Sequence, residues 1–333
     1  MPVIGQSPQY SEQPLLEVRH LDVRFTTPEG EVKAVDDLEF SLVRGETLGV
    51  VGESGSGKTQ VAHAMLGLLA ENGRATGSVR FAGEEILNLP AKRLNRIRGA
   101  GMALVFQDPM TSLNPYLRIG PQLSEALMAH EPVSGRQARE AACSMLDAVH
   151  LAHPRACLRA YPHELSGGMR QRVMIAMALI CRPRVLIADE PSTALDATVQ
   201  ARILELLSEL KREFELAMLL ITHDLGVVAG TCDRVLIMYG GRTMEEAAVD
   251  DIFYRSQHPY TRGLLGALPR LDAAGVSRMA AIPGQPPSLL EPQPGCPFEK
   301  RCDYRFEPCK HQRPPLENVS AGHRKACHHE KLP

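Results

Sequence analysis

The chain has 333 residues, 44% of them hydrophobic and 23% charged. That length and mix give one large or two ordinary domains that fold in water, and exclude both a disulfide-stapled miniprotein and a chain disordered by composition. With 37 Lys and Arg against 39 Asp and Glu the net charge is −2, which argues against nucleic-acid binding through a basic excess.

The first thirteen residues, MPVIGQSPQYSEQ, hold neither a basic nor an apolar segment. They are expected to form a flexible N-terminus without the marks of a secretory signal, which points to reducing cytosol. Between residues 16 and 45 apolar and polar residues alternate (LEVRHLDVRF, then VKAVDDLEFSL), the period of antiparallel strands with one wet face. Five short runs at 48–51, 103–106, 185–188, 218–221 and 235–238 are apolar without alternation, as in strands of a parallel sheet covered on both sides. Helical stretches at 60–69, 169–180 and 198–213 lie among them and complete an α/β pattern. From about residue 87 to 161 the chain is rich in Leu, Ala, Met and Arg and reads as a mostly helical insertion. After residue 282 prolines crowd (IPGQPPSLLEPQPGCP), a composition that opposes helix and central strand and marks a boundary. No run reaches the ~20 apolar residues of a membrane span, so membrane association would come through a partner.

Residues 52–59, GESGSGKT, match G-x-x-x-x-G-K-[ST] between an apolar strand and a helix, the context that the motif requires. Gly52, Gly55 and Gly57 let the backbone curl so that its amides, those of Ser54 and Ser56 among them, face a phosphate; Lys58 reaches the β/γ oxygens and Thr59 holds Mg²⁺. A second apolar strand, RVLIADE, runs into Asp189 and Glu190 at the edge where α/β sheets bind ligands. Asp189 is a candidate Mg²⁺ ligand, and Glu190 a candidate to accept a proton from, or orient, the attacking water. Gln107 and His223 also follow apolar strands, Gln107 aimed at Mg²⁺ or the water and His223 at the γ-phosphate; taken singly such strand-end residues are more often structural, and only their shared placement lifts them. Ser166, Gly167, Gly168 and Met169 open a further helix as another anion-binding start. One phosphate cannot use two such starts in one chain, so closure of this element over a partner chain's nucleotide is the economical solution, while a helix cap without a ligand is an equal reading that the resemblance below decides.

In order, GESGSGKT, VFQDP, LSGGMRQR, VLIADEP, STALD and ITHD resemble the phosphate loop, glutamine loop, signature, Asp-Glu strand, D-loop and switch histidine of ABC-transporter ATP-binding subunits, over about residues 15–269. The resemblance implies an α/β P-loop NTPase of ABC ATPase type. Its parts are an antiparallel β subdomain, a mainly parallel core sheet, a helical subdomain at about 108–168 and a small irregular Cys-rich C-terminal extension. The ATP-binding domain is placed at 14–270 and the extension at 271–333. By the same resemblance Phe25 stacks on adenine, Gln107 and its neighbours face a transmembrane subunit, and residues 192–196, Asp196 among them, communicate between sites.

FQDPMTSLNPYLRIG, YPHELSGGMRQRVMIAMALICRP, HPYT, LLGALPRL and the Cys-bearing tail are similar to the oligopeptide/dipeptide importer subfamily. This implies ATP and Mg²⁺, two transmembrane permease subunits, a second homologous ATP-binding subunit and, indirectly, a periplasmic or lipoprotein peptide-binding protein, at the cytoplasmic face of the inner membrane and without nucleic acid. A nickel or other small-solute importer and a soluble non-transport ABC ATPase are the alternatives. Ser192 and Ala197 depart slightly from the pattern, and TMEEAAVDDIF lacks a Gly that relatives commonly carry after the Glu.

Of eight cysteines, Cys296, Cys302, Cys309 and Cys327 follow the proline segment in a region too short and polar to form its own core. A bound metal centre would anchor it, yet the spacing matches neither common zinc nor common ferredoxin runs. The subfamily resemblance implies a 4Fe-4S cluster, with Zn²⁺, or four free thiols without a metal, as the alternatives. His323, His328 and His329 are spare candidate ligands that read as solvated tail residues, and Cys143, Cys157, Cys181 and Cys232 read as core thiols.

Overall fold

The computed structural model describes residues 13–106, 108, 112–191, 196–268, 282–290 and 293–332. β1 (Leu16–Thr27) and β2 (Gly30–Leu42) pair antiparallel. Their alternation buries Leu16, Val18, Leu21 and Val23 on one face. Three positions separate Val18 from Leu21, which would flip the face, and a shift in register between them absorbs the extra residue. The chain then enters a second sheet at β3 (Thr47–Val51) and continues into α1 (Lys58–Met65). It returns to the first sheet with β4 (Gly73–Phe81) and β5 (Glu84–Glu85), giving the order β2-β1-β4-β5.

After the short α2 (Ala91–Leu94), β6 (Met102–Val105) leads into a helical layer. It contains α3 (Ile119–Met128), α4 (Gly135–Ala148), α5 (Pro154–Cys157) and α6 (Gly167–Leu179). α4 starts on a capping box in which Ser134 and Gln137 satisfy each other's backbone. Leu123, Ala142, Leu146 and Val173 join these helices in one apolar cluster. The remaining core elements are β7 (Val185–Asp189), α7 (Ala197–Phe214), β8 (Ala217–Thr222), α8 (Leu225–Ala229), β9 (Arg234–Tyr239), β10 (Arg242–Ala248), α9 (Val249–Arg255) and α10 (Pro259–Gly266). The large sheet runs β11 (Glu317–Ser320), β12 (His323–Lys325), β10, β9, β3, β8, β7, β6, its five strands from β9 to β6 mutually parallel. The five unalternating runs fall in these strands because both faces are covered.

The C-terminal extension is more integrated than its composition suggests. Beyond α11 (Glu307–His311), β11 (Glu317–Ser320) and β12 (His323–Lys325) prolong the large sheet, with β12 antiparallel to β10 at Glu245↔Lys325 and Glu246↔Arg324. Two adjacent acidic residues in β10 hold it there. Glu246 binds Arg234 and Arg324, and Glu245, fully buried, accepts from Nε2 of His323 at 2.7 Å. His323 is thus a buried partner of a buried carboxylate, not the solvated tail residue that the sequence suggested. Among the described residues no helix is long and apolar enough to cross a membrane.

Candidate nucleotide site

The phosphate loop joins β3 to α1. Gly57 holds φ +96°, and a Cβ there would lie 2.2 Å from the Ala34 carbonyl oxygen; at Gly52 a Cβ would lie 2.2 Å from that of Met238. β2 and β9 therefore press on the loop so closely that only glycine fits. Lys58, buried at the helix start, donates from Nζ to the carbonyls of Gly52 (2.7 Å) and Glu53 (2.9 Å) and to Oγ of Ser56 (3.4 Å). Burial lowers its pKa, while the nearby Glu190, Asp189 and Glu53 carboxylates oppose that shift.

The carboxylates arrive from β7. Asp189 is buried, its pKa raised by burial and by Glu190 against a hydrogen bond from Thr59 and the charges of His63 and Lys58. Its Oδ1 has no hydrogen-bond partner. Glu190 follows in the left-handed region, φ +47°, and its amide donates to the Ile221 carbonyl of β8. This turn brings Oε1 to 3.1 Å from Nδ1 of His223, which leaves the end of β8. Lys58, Thr59, Asp189, Glu190 and His223 thus meet at the C-terminal edge of the parallel strands.

Other expected residues stand elsewhere or outside view. Gln107 and residues 192–195 lie outside the described residues. Phe25 is half-buried on β1 against Gly73, so its adenine role rests on resemblance. Ser166 caps α6 through Oγ and the Met169 amide at 3.4 Å, and both Ser166 and Gly167 are exposed, with Gly168 and Met169 half-buried. Asp196 caps α7 by accepting from Thr198 and Val199. Residues missed in the sequence are Glu53, Tyr260 and Arg301. The Glu53 amide donates to the Tyr260 hydroxyl, and its carboxylate accepts from Arg301.

Cys296, Cys302, Cys309 and Cys327 line one small enclosed pocket with His258 and Phe298. Burial pushes the Cys296 thiol up to about 12, with the other three cysteines adding to the shift. Burial likewise raises Cys302 to about 11. His258 is buried, and its Nδ1 accepts from the Tyr260 amide at 3.1 Å, which leaves the proton on Nε2. Burial lowers the pKa of this ring, and the Glu245 charge and a backbone hydrogen bond with Ala326 oppose that shift, although Nε2 meets no partner at strict hydrogen-bond geometry. His328 and His329 also border the pocket, their rings bonded to the carbonyls of Gln312 and Tyr304; they are half-buried pocket walls where solvated tail residues were expected. Cys157 and Cys232 are buried and Cys143 and Cys181 packed on the core, as core thiols should be.

A glycine-rich phosphate loop beside a carboxylate-bearing strand end and a histidine, in this sheet order, defines an ATP-binding cassette. Family comparison agrees: the ABC transporter family matches residues 35–193, and the oligopeptide/dipeptide transporter C-terminal region matches 244–309. The chain belongs to the ATP-binding proteins of ABC transporters. It is 59% identical to the oligopeptide transport ATP-binding protein OppD of Salmonella typhimurium, over 97% of this chain and 95% of the relative. To the dipeptide transport ATP-binding protein DppD of Bacillus subtilis it is 48% identical, over 94% of each. Among solved structures, the dimeric post-hydrolysis cassette MJ0796 bound to ADP and Pi aligns with TM-score 0.63 and 26% identity, covering 70% of this chain and 98% of that one.

Proposed function

We propose that this chain is the ATP-hydrolysing subunit of an importer of short peptides. The observation that carries the reading is the gathering of Lys58, Thr59, Asp189, Glu190 and His223 at one sheet edge, in a chain whose relatives are named for oligopeptide and dipeptide transport. The loop amides and Lys58 bind the β- and γ-phosphates. Mg²⁺, when bound, neutralises the β/γ oxygens; Thr59 and Asp189 would hold it, Asp189 offering a buried oxygen without a partner, and Gln107 is proposed beside them. Glu190 orients the attacking water and receives its proton, while His223, steadied by Glu190, bonds the γ-phosphate. Phe25 is proposed to stack on adenine. Ser166, Gly167, Gly168 and Met169 form an exposed helix start suited to close over the nucleotide of a second, homologous ATP-binding subunit, with Asp196 carrying communication between sites.

In this reading the pair works under two permease subunits at the cytoplasmic face of the inner membrane, fed indirectly by a peptide-binding protein, and ATP-driven closure sets the permeases' access. The test is ATP hydrolysis by the chain reconstituted with its permeases and partner ATPase. Stimulation by peptide-loaded binding protein is expected. Stimulation by a nickel-loaded protein instead would move the cargo to small solutes.

For the cysteine set we propose a 4Fe-4S cluster in preference to Zn²⁺. Four cysteines line one small pocket, and the buried Nε2–H of His258, which meets no acceptor at strict geometry beyond the influence of the Ala326 backbone, borders it. Among the described residues the only group of three or more His, Cys, Asp or Glu whose ligand atoms all lie within 4.8 Å of one another is the surface set His20, Asp37 and Glu39, so the preference for the cluster over Zn²⁺ rests on the subfamily resemblance. The cluster would tie the extension together and takes no part in hydrolysis.

A further inference from the structure

Arg301 immediately precedes Cys302, in the turn Glu299–Arg301 that separates two of the pocket cysteines. Its side chain is only 6% exposed and meets four acceptors. Nη1 donates to Oε2 of Glu53 at 2.8 Å and to the Tyr239 hydroxyl at 3.1 Å, Nη2 to the Ile282 carbonyl at 2.9 Å and Nε to the Pro283 carbonyl at 2.9 Å. The guanidinium also covers the Tyr239 ring, 5.6 Å from its centroid.

Glu53 occupies a position of the phosphate-loop motif that phosphate chemistry leaves free, so its acid needs another reason. It is held from both ends: the carboxylate by Arg301 and the amide by the Tyr260 hydroxyl. Its carbonyl in turn accepts from Lys58. Phe298, two residues after Cys296, packs on Tyr239 and Tyr260 with ring centroids 5.3 and 5.2 Å away. A continuous set of contacts therefore runs from the cysteine pocket to the lysine that binds phosphate.

We propose that Arg301 is a positioning residue of the nucleotide site, which through Glu53 couples the cysteine module to the phosphate loop so that filling the pocket and binding ATP favour one another. The second half rests on the metal-centre reading above; the first does not. Coupling of this kind is reciprocal: if the loaded pocket tightens nucleotide binding, nucleotide must tighten the hold on the pocket's contents by the same equilibrium factor.

The test uses the full chain as purified without oxygen, with iron and zinc measured in every sample. Binding of a fluorescent ATP analogue is titrated for the wild type, Arg301→Ala, Arg301→Lys, Glu53→Gln and the Arg301→Ala/Glu53→Gln double variant. Arg301→Ala is expected to weaken binding roughly three- to thirtyfold, Arg301→Lys less, and the double variant no more than the worse single one. ADP should slow chelator-driven metal loss in the wild type but not in Arg301→Ala. A lowered melting temperature with unchanged nucleotide affinity in Arg301→Ala, or strict additivity in the double variant, overturns the positioning role. Metal loss indifferent to ADP in a loaded chain overturns the coupling of the two sites. A chain that holds neither iron nor zinc yet keeps the Arg301–Glu53 effect on affinity supports the positioning role while removing the cluster.

Discussion

Nδ1 of His223 lies 3.1 Å from Oε1 of Glu190, across the adjacent ends of β8 and β7. The pair is built by backbone as much as by side chain, since Glu190 takes a left-handed conformation and anchors its amide on Ile221. Glu190→Gln keeps the size of the side chain and removes the base. It should bind ATP as the wild type does while hydrolysis falls by about 10²–10⁴. Equilibrium nucleotide binding and single-turnover hydrolysis together decide this; normal turnover in the variant would remove Glu190 from its role.

Lys58 acts earlier, on binding. Its ammonium is fixed by two loop carbonyls and Ser56, so Lys58→Ala loses the cation and leaves those carbonyls short of a donor. ATP affinity should drop about ten- to a hundredfold, the range for charged hydrogen bonds. Calorimetric titration with ATP checks it, and a variant that binds normally but fails to hydrolyse would place Lys58 in the chemical step alone.

These residues were legible in the sequence because each follows from a local pattern. GESGSGKT sits between strand and helix, and Asp189, Glu190 and His223 end runs too apolar to be anything but buried parallel strands. What stayed hidden depends on partners far along the chain. Nothing local shows that Glu53 meets Arg301, or that Asp36 meets Arg313. The acidic pair Glu245 and Glu246 is buried in β10, where only buried cationic or histidine partners can offset it, and the local sequence does not name them. Those partners, His323, Arg234 and Arg324, explain why a proline-rich tail ends as strands of the main sheet.

Asp36 supplies a pH signature. Burial alone would raise its carboxyl, but hydrogen bonds from Arg242 and Lys33 prevail and hold it at about 2, below its ordinary 3.8. Because the folded value is the lower one, its contribution is complete above about pH 4 and is lost as pH falls toward 2. At neutral pH Asp36→Asn should cost about 2 kcal/mol, and the difference from wild type should shrink across that acid window. Urea unfolding at a series of pH values measures it; a difference constant from pH 7 to pH 2 would show that the ion pairs contribute nothing through this carboxylate.

Cys309 is the most buried of the pocket cysteines, and its carbonyl accepts from the Cys296 amide at 2.8 Å. Chain purified without oxygen should contain iron and acid-labile sulfide in equal amounts, and Cys309→Ser should lose both. Zinc in their place would decide for the single ion. Absence of iron and zinc alike would leave four thiols without a metal.

His258 separates the cluster's needs from those of the fold. Nδ1 caps α10 by accepting from the Tyr260 amide, whereas Nε2 carries a proton that, among the described residues, meets no acceptor at strict geometry and feels the Ala326 backbone. Asn at this position can keep the cap but is too short to present a donor where Nε2 stands. His258→Asn should therefore retain the melting temperature of the loaded chain to within a few degrees. Its reduction potential should fall, because a hydrogen bond to cluster sulfur stabilises the more negative, reduced state. Redox titration followed by electron paramagnetic resonance reads that shift directly. An unchanged potential with a lowered melting temperature would mean that His258 serves the helix start alone, with Nε2 facing the Ala326 backbone instead of the sulfurs.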